Sequence, residues 1–279
     1  MTQISNLTSI GYPVTTLEDL RKVAPSAFAD KYDPKRSDRY SFLPTEKLVS
    51  AVMNQGWELQ SVKQNGRSEY SRHIIRFTNP SLGFMNLKDD KVKPQIILDN
   101  SHNGTSYAQF HMGLFRLICT NGLVAAMPGF YETSKIRHMG MDVFEIKNML
   151  EIAAEHYKMI GTNLEHMQGV TLNQDQKEEF AIKAIAYREP NLFINDDGTI
   201  DYQKVTDSTN PLHIIKPTRD EDKIDNLWTT FNVVQEHMIK GGYERKSEKG
   251  RSSTTKGMTN AVRSVKYNKK LWELAESYM

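Results

Sequence analysis

The chain has 279 residues, 38% hydrophobic and 25% charged, with 36 Lys+Arg against 34 Asp+Glu for a net charge of +2. That describes a folded, rather polar protein of one large or two ordinary domains, and it excludes both a strongly acidic DNA mimic and a uniform polycation. Cys119 is the one cysteine, which excludes an intramolecular disulfide and a multi-cysteine zinc site. No run reaches the ~18 apolar residues a membrane span needs. The opening MTQISNLTSI lacks the charged-then-apolar pattern of a signal peptide. A cytoplasmic protein with no membrane partner is expected.

Along the chain, Thr15 or Thr16 can cap a short helix over Thr16–Leu20. Residues 29–39 form a charged loop containing Lys31, Lys35, Arg36 and Arg39, balanced in part by Asp30, Asp33 and Asp38. Pro44 precedes a helix over Thr45–Asn54, whose Leu48, Val49, Val52 and Met53 share a face, and Gln55-Gly56 ends it. Trp57–Lys63 alternates as a strand, Asn65-Gly66 turns the chain, and Glu69–Phe77 resumes as a second strand. Arg72 and Arg76 share one side of it, and His73 takes the other. With Arg67 they make a polar sheet face that is either solvated or in contact with nucleic acid. Residues 79–94 read as a connector.

The stretch Gln95–Val124 carries the strongest pattern. Ile96, Ile97 and Leu98 form an apolar run, Asp99–Thr105 is a cluster of turn residues, and Ser106–Cys119 is a second β-like run closed by Asn121-Gly122. Gly113 suggests a bulge or bend. Arg116 stands in an apolar run, as a paired structural arginine or an anion ligand. Trp57, Ile75, Ile97, Phe110 and Leu117 are expected in the core. Met127-Pro128-Gly129 breaks the chain, and 130–142 is a bridge. Helical spacing then places Ile146, Met149, Leu150, Ala153, Tyr157 and Ile160 on one face of a helix from Val143. Asn173 with Gln176 forms a capping box for a second helix. Arg188–Pro217 reads as a polar connector, Asp222–Lys240 as a third helix with Ile224 on its apolar face, and Met258–Tyr278 as a last one. The fold class is α+β: an antiparallel sheet with a packed helix over 1–142, and a mostly helical region over 143–279 with a basic loop at 240–257 and a C-terminal helix.

That basic segment is where charge stops averaging out. Residues 240–270 hold ten Lys or Arg against two Glu, interleaved with Gly241, Gly242, Gly250 and Gly257 and with the run Ser252–Thr255. A flexible basic loop rich in hydroxyls suits phosphate contact through Lys240, Arg245, Lys246, Lys249, Arg251 and Lys256, against a solvated basic segment as the alternative. It is not a P-loop, since the Gly-Lys-Ser/Thr ending is absent. Asp99, His102 and His111 match no metal-ligand spacing, His138 and Asp142 flank a bend, and Ser101 and Ser106 lack a nucleophile-elbow context. No cofactor is implied, and the absence of a catalytic motif favours a non-enzymatic protein.

The blocks RSDRYSFLPTEKLVSAVMNQGWE, SRHIIRF, IILDNSHNGTSYAQFHMGLFRLICTNGLV and MIKGG, with LWELAE at the end, resemble a phage/plasmid-like protein family known as domain of unknown function 932. The likeness covers nearly the whole chain and implies a setting in phages, prophages or plasmids. Over about residues 39–124, Tyr40, a helix, then Gly56-Trp57 opening an antiparallel meander is also similar to the core of ring-forming single-strand annealing proteins. That likeness implies a homo-oligomer that holds single-stranded DNA by its backbone, with Arg67, Arg72, Arg76 and Arg116 on the core. The chain departs from that pattern in its longer helical second half. The expected function is single-stranded DNA binding or annealing in the host cytoplasm. The alternatives are an anti-defence or host-interaction protein that binds a host or phage protein, and thirdly a hydrolase using His102 or His111.

Overall fold

The computed structural model describes residues 11–37, 40, 42–87, 90–106, 108–116, 122–124 and 143–279. Leu117, Cys119, Asn121 and the bridge 130–142, with His138 and Asp142, lie outside the described residues, as do Asp38 and Arg39. The fold is α+β, an antiparallel sheet followed by a mostly helical half. The chain divides into two compact units, and the main boundary between them falls at Gly161–Thr162, inside a helix.

The first unit is built on a sheet in the order β1-β2-β3-β5-β6-β7, with β4 pairing β5. The strands are β1 (Tyr12–Pro13), β2 (Glu58–Asn65), β3 (Arg72–Thr78), β4 (Met85–Leu87), β5 (Asp90–Asn100), β6 (Gln109–Arg116) and β7 (Gly122–Val124). All the pairings with resolved register are antiparallel. Residues 85–87 and 90–94 are therefore strand, not connector. Lys91, Lys93 and Pro94 hide the first half of β5 by breaking the apolar pattern. Nor does Gly113 bulge: β5 and β6 stay in register through Gln95↔Gly113. A Cβ there would sit 2.8 Å from Ile97 Cδ1, so glycine lets the Ile97 side chain lie against the β6 backbone. The irregularity lies instead in β2, between Leu59 and Ser61.

Helix α1 (Leu17–Val23) starts at Thr16, whose Oγ1 accepts from the Asp19 N–H. A 3-10 turn (Pro25–Phe28) and helix α2 (Thr45–Met53) follow. Leu48, Val49 and Val52 of α2 are buried, as are Trp57, Ile75, Ile97 and Phe110. The long helix α3 (Val143–Gly169) buries Ile146, Met149, Leu150, Ala153, Tyr157 and Ile160. The Tyr157 hydroxyl reaches the backbone carbonyls of Gln95 and Gly113, which ties this part of α3 to β5 and β6. On the sheet's polar face Arg76, Gln95 and His111 are buried, while Arg72 is partly exposed.

A hydrogen-bonded knot holds α2 and the 3-10 turn against the sheet. His73 Nδ1 lies 3.1 Å from the Ser71 carbonyl, which can only accept, so Nδ1 carries the proton and also donates to Ser26 Oγ. Nε2 is then bare and accepts the Thr45 hydroxyl at 2.8 Å. Thr45 Oγ1 in turn accepts from Asn100 Nδ2 at 2.9 Å and from His102 Nε2 at 3.0 Å. One threonine hydroxyl therefore joins α2, β3, β5 and the loop after β5. Asp99 and His102 have structural partners here, Arg72 and Thr45 respectively.

The second unit carries α4 (Gln174–Arg188), α5 (Pro190–Phe193), α6 (Tyr202–Ser208), α7 (Pro211–Ile214), α8 (Leu227–Lys240) and α9 (Ala261–Glu276). The Asn173/Gln176 capping box forms reciprocally. Helices α4, α8 and α9 pack on one another around Trp228, Phe231 and Trp272, with Phe231 stacked on Trp228 and edge-on to Trp272. The connector 188–217 is not featureless, since α5, α6 and α7 occupy it, each of α5 and α7 opening on a proline at its first turn. Helix α8 begins at Leu227 rather than 222, because the Asn226 side chain caps it. Ile224 therefore falls outside α8 and is exposed. No helix of the described residues is long and apolar enough to cross a membrane.

Burial lowers the His73 pKa from 6.5 to about 3, with His102 adding repulsion. A group depressed in this way binds its proton more readily in the unfolded chain. Its contribution to stability is complete above pH 6.5 and is lost as pH falls from there toward 3, at ~1.4 kcal/mol per pH unit. His73→Gln should lower stability at neutral pH, where the Thr45 and Ser26 bonds are disturbed. It should also flatten the pH dependence of the urea midpoint between about pH 6 and 4, by roughly one proton's worth of slope. An undiminished slope would place acid sensitivity elsewhere.

Candidate phosphate-binding cleft

Two glycines build this site. Gly241 ends α8 at φ 70°, and a Cβ there would lie 2.6 Å from the Lys256 carbonyl carbon. Gly257 faces it, and a Cβ there would lie 2.9 Å from Lys240 O. Only hydrogen atoms fit between these backbones, so the chain returning to α9 can lie directly on the end of α8. Three backbone bonds follow from that approach: Gly242 N to Thr255 O, Thr255 N to Tyr243 O and Met258 N to Ile239 O, at 2.8–2.9 Å. Beyond this stem the segment is not a loop but a hairpin, β8 (Glu244–Lys246) against β9 (Ser252–Thr254).

Arg188, the last residue of α4, locks the stem from the other side. It is only 6% exposed. One terminal nitrogen donates to Tyr243 Oη, and the other donates to Lys256 O at 2.5 Å. Its guanidinium also stands 5.2 Å from the centre of the Tyr243 ring. Its Nε has no hydrogen-bond partner among the described residues. Burial raises the Tyr243 pKa despite the neighbouring cation, so the phenol stays neutral. Arg263 donates to the Arg188 carbonyl and pairs with Glu189 at 3.3 Å, and Arg245 lies 4.0 Å from the same carboxylate.

The result is a cleft of about 310 Å³ lined by four cationic side chains (Arg188, Arg245, Lys256 and Arg263) against one carboxylate, Glu189. Thr254 and Thr259 add exposed hydroxyls to its wall. Asn260, also in the wall, caps α9 by accepting the Arg263 N–H at 3.0 Å. The positive end of a 16-residue helix therefore opens on the cleft. Guanidinium groups, hydroxyls and a helix N-terminus are the donor set that holds a phosphate dianion or diester.

The cations singled out from the sequence divide sharply. Lys246, Lys249, Arg251 and Lys256 are exposed and form no ion pair among the described residues. Arg245 is half-buried beside Glu189, and Lys240 is held by Glu236. On the sheet, Arg67 is exposed in the β2–β3 turn. Arg72 grips the buried Asp99 with two nitrogens, and Arg116 is buried in an ion pair with Asp90. Burial lowers the Arg76 pKa to about 10 and, with Arg76 beside it, lowers that of Lys63. These three sheet arginines serve the interior. Arg188 and Glu189 were missed from the sequence, and Arg263 entered only as part of the charge excess. The one available signal was an Arg-Glu pair closing a helix just before a proline.

The stem is testable by substitution. Gly241→Ala places a methyl against the Lys256 backbone as well as in left-handed geometry, whereas Gly242, at φ 89°, has open space around its Cβ position. Gly242→Ala should cost about 1 kcal/mol of strain, and Gly241→Ala about 1–3 kcal/mol more. Equal melting temperatures for the two variants would refute the close approach.

Residues 34–272 match the family described as "Domain of unknown function (DUF932)". Two similar proteins of Escherichia coli (strain K12) align along most of their length. UPF0380 protein YafZ is 31% identical over 95% of this chain and 91% of its own. UPF0380 protein YfjQ is 30% identical over the same shares. No solved structure matches the chain. With the match extending over nearly the whole of both units, the chain belongs to the DUF932 family.

Proposed function

We propose that this protein binds nucleic acid, single-stranded DNA in particular, through its phosphate backbone, and does so without chemistry of its own. The observation that carries this reading is the set Lys246, Lys249, Arg251 and Lys256: four exposed cations with no carboxylate partner among the described residues, set on a hairpin beside a cleft that is itself cationic. Exposed unpaired cations can each neutralise a phosphate and release a counterion condensed on the strand, and that release drives binding. The cleft, of about 310 Å³, has room for a phosphate and the sugars on either side of it. Strand pairing supplies its own free energy, so a protein that holds strands extended and neutralised needs no nucleotide site to anneal them. The phage- and plasmid-like character of the family resemblance fits a role in recombination of a mobile element inside its host's cytoplasm, as a homo-oligomer if the likeness to annealing rings extends to assembly. Binding a host protein in an anti-defence role is the competing reading.

Changing Lys246, Lys249, Arg251 and Lys256 together to alanine tests this. Each phosphate contact on a single strand contributes ~0.7 to the slope of log affinity against log salt, so the slope should flatten by roughly 3. The loss should be similar for strands of different sequence, because phosphate contacts position a strand without reading its bases. The fold should survive, since exposed hairpin residues carry little packing. A folded variant with an unchanged slope, or a wild-type protein that fails to bind single strands even at low salt, would overturn the reading.

A further inference from the structure

Beside the cleft lies a second recess of about 740 Å³, and its lining is of a different kind. Phe193, 2% exposed, lies at its base, and Leu192, 42% exposed, presents an apolar side chain to it. Four cations (Lys204, Arg245, Lys246 and Lys249) and two carboxylates (Asp207 and Glu248) stand around these two. The walls are fixed: Ser208 Oγ donates to Lys246 O at 3.0 Å, and Lys204 pairs with Glu248 at 2.8 Å, so hairpin and α6 are joined across the recess. With Lys204 neutralised by Glu248, the lining keeps an excess of positive charge from Arg245, Lys246 and Lys249 over Asp207. An apolar surface beside such an excess suits a ligand that is flat and apolar in one part and anionic in another.

The recess is joined to the phosphate cleft at two points. Arg245 lines both. Arg188 and Glu189 of the cleft run directly into α5, whose last two residues are Leu192 and Phe193. A ligand whose phosphate sits by Arg188 therefore meets the apolar surface within one turn of backbone. We infer that this recess receives a nucleobase of the strand whose phosphate occupies the neighbouring cleft. The inference rests on the phosphate-backbone reading and adds to it: the protein engages bases as well as phosphates, by contact with their flat faces. Face contact tolerates any base, because it makes no demand on the hydrogen-bonding edges.

The test compares a short oligothymidylate with an abasic deoxyribose-phosphate strand of equal length and charge, by fluorescence anisotropy at one low salt concentration. The wild-type protein should bind the strand with bases about tenfold more tightly, the scale of one base resting on a protein surface. Leu192→Ala should bring that ratio close to one while leaving affinity for the abasic strand unchanged. Leu192→Tyr should restore it, since an aromatic ring offers a better stacking platform. Leu192 is exposed, so both variants should melt with the wild type. Equal wild-type affinity for the two strands, or a ratio indifferent to Leu192, would overturn the base recess while leaving phosphate binding intact, and would reassign the recess to another occupant such as an acidic peptide. Failure of both strands to bind would remove the nucleic-acid reading and this inference with it.

Discussion

The second unit depends on a buried charge. Arg188 has no carboxylate on its own guanidinium among the described residues, yet it is nearly inaccessible. A guanidinium taken out of water is costly unless other dipoles replace the lost hydration. Here the Tyr243 hydroxyl, the Tyr243 ring and the Lys256 carbonyl replace it. Those three groups lie on the two strands of the hairpin stem, so solvating Arg188 and closing the stem are the same event. A lysine could not substitute, since its single ammonium lacks the fixed fork that reaches a hydroxyl and a carbonyl at once. Through its own carbonyl Arg188 also receives Arg263, which sets the start of α9 against the end of α4.

Glycine makes that arrangement possible. Gly241 and Gly257 remove side chains where α8 and the returning segment touch backbone to backbone. In the sequence these glycines, with the serines and threonines between them, suggested a flexible loop. Their structural use is the opposite: two of them create a tight crossing that holds the basic hairpin in one place. Rigid presentation matters for a polyanion site, because cations already in position lose little side-chain and loop freedom on binding.

What was legible in the sequence follows from the range of the interactions. Alternation and turn residues act locally, so β2, β3 and the core of β5 and β6 could be read, as could the Asn173 cap and the apolar face of α3. The first half of β5 could not, because Lys91, Lys93 and Pro94 look like connector until β6 is placed opposite them. The arginines could be located but not sorted. Arg72 and Arg116 look as available as Arg251 in one dimension, and only tertiary pairing brings Asp99 and Asp90 to them. The cleft was half legible. The charge excess marked the hairpin, but Arg188 and Glu189 come from a helix some fifty residues earlier, and nothing local announces that they meet Lys256 and Arg263.

On the proposed reading, Glu189 sets which anions the cleft favours. One carboxylate among four cations steadies Arg263 and Arg245 in the absence of ligand, and it also repels any anion that enters. A lone phosphate gains the guanidinium and helix-terminus contacts but meets that repulsion in full. On the proposed reading a strand meets it once, while its further phosphates reach Lys246, Lys249 and Arg251, where no carboxylate pairs with the cation among the described residues. The balance therefore favours long polyanions over small ones, although each contact taken alone is weak and screened by salt. On the proposed reading, discrimination against free phosphate and mononucleotides needs no further device: it follows from placing one acid in the cleft and none on the hairpin beyond the Glu248–Lys204 pair and Glu244.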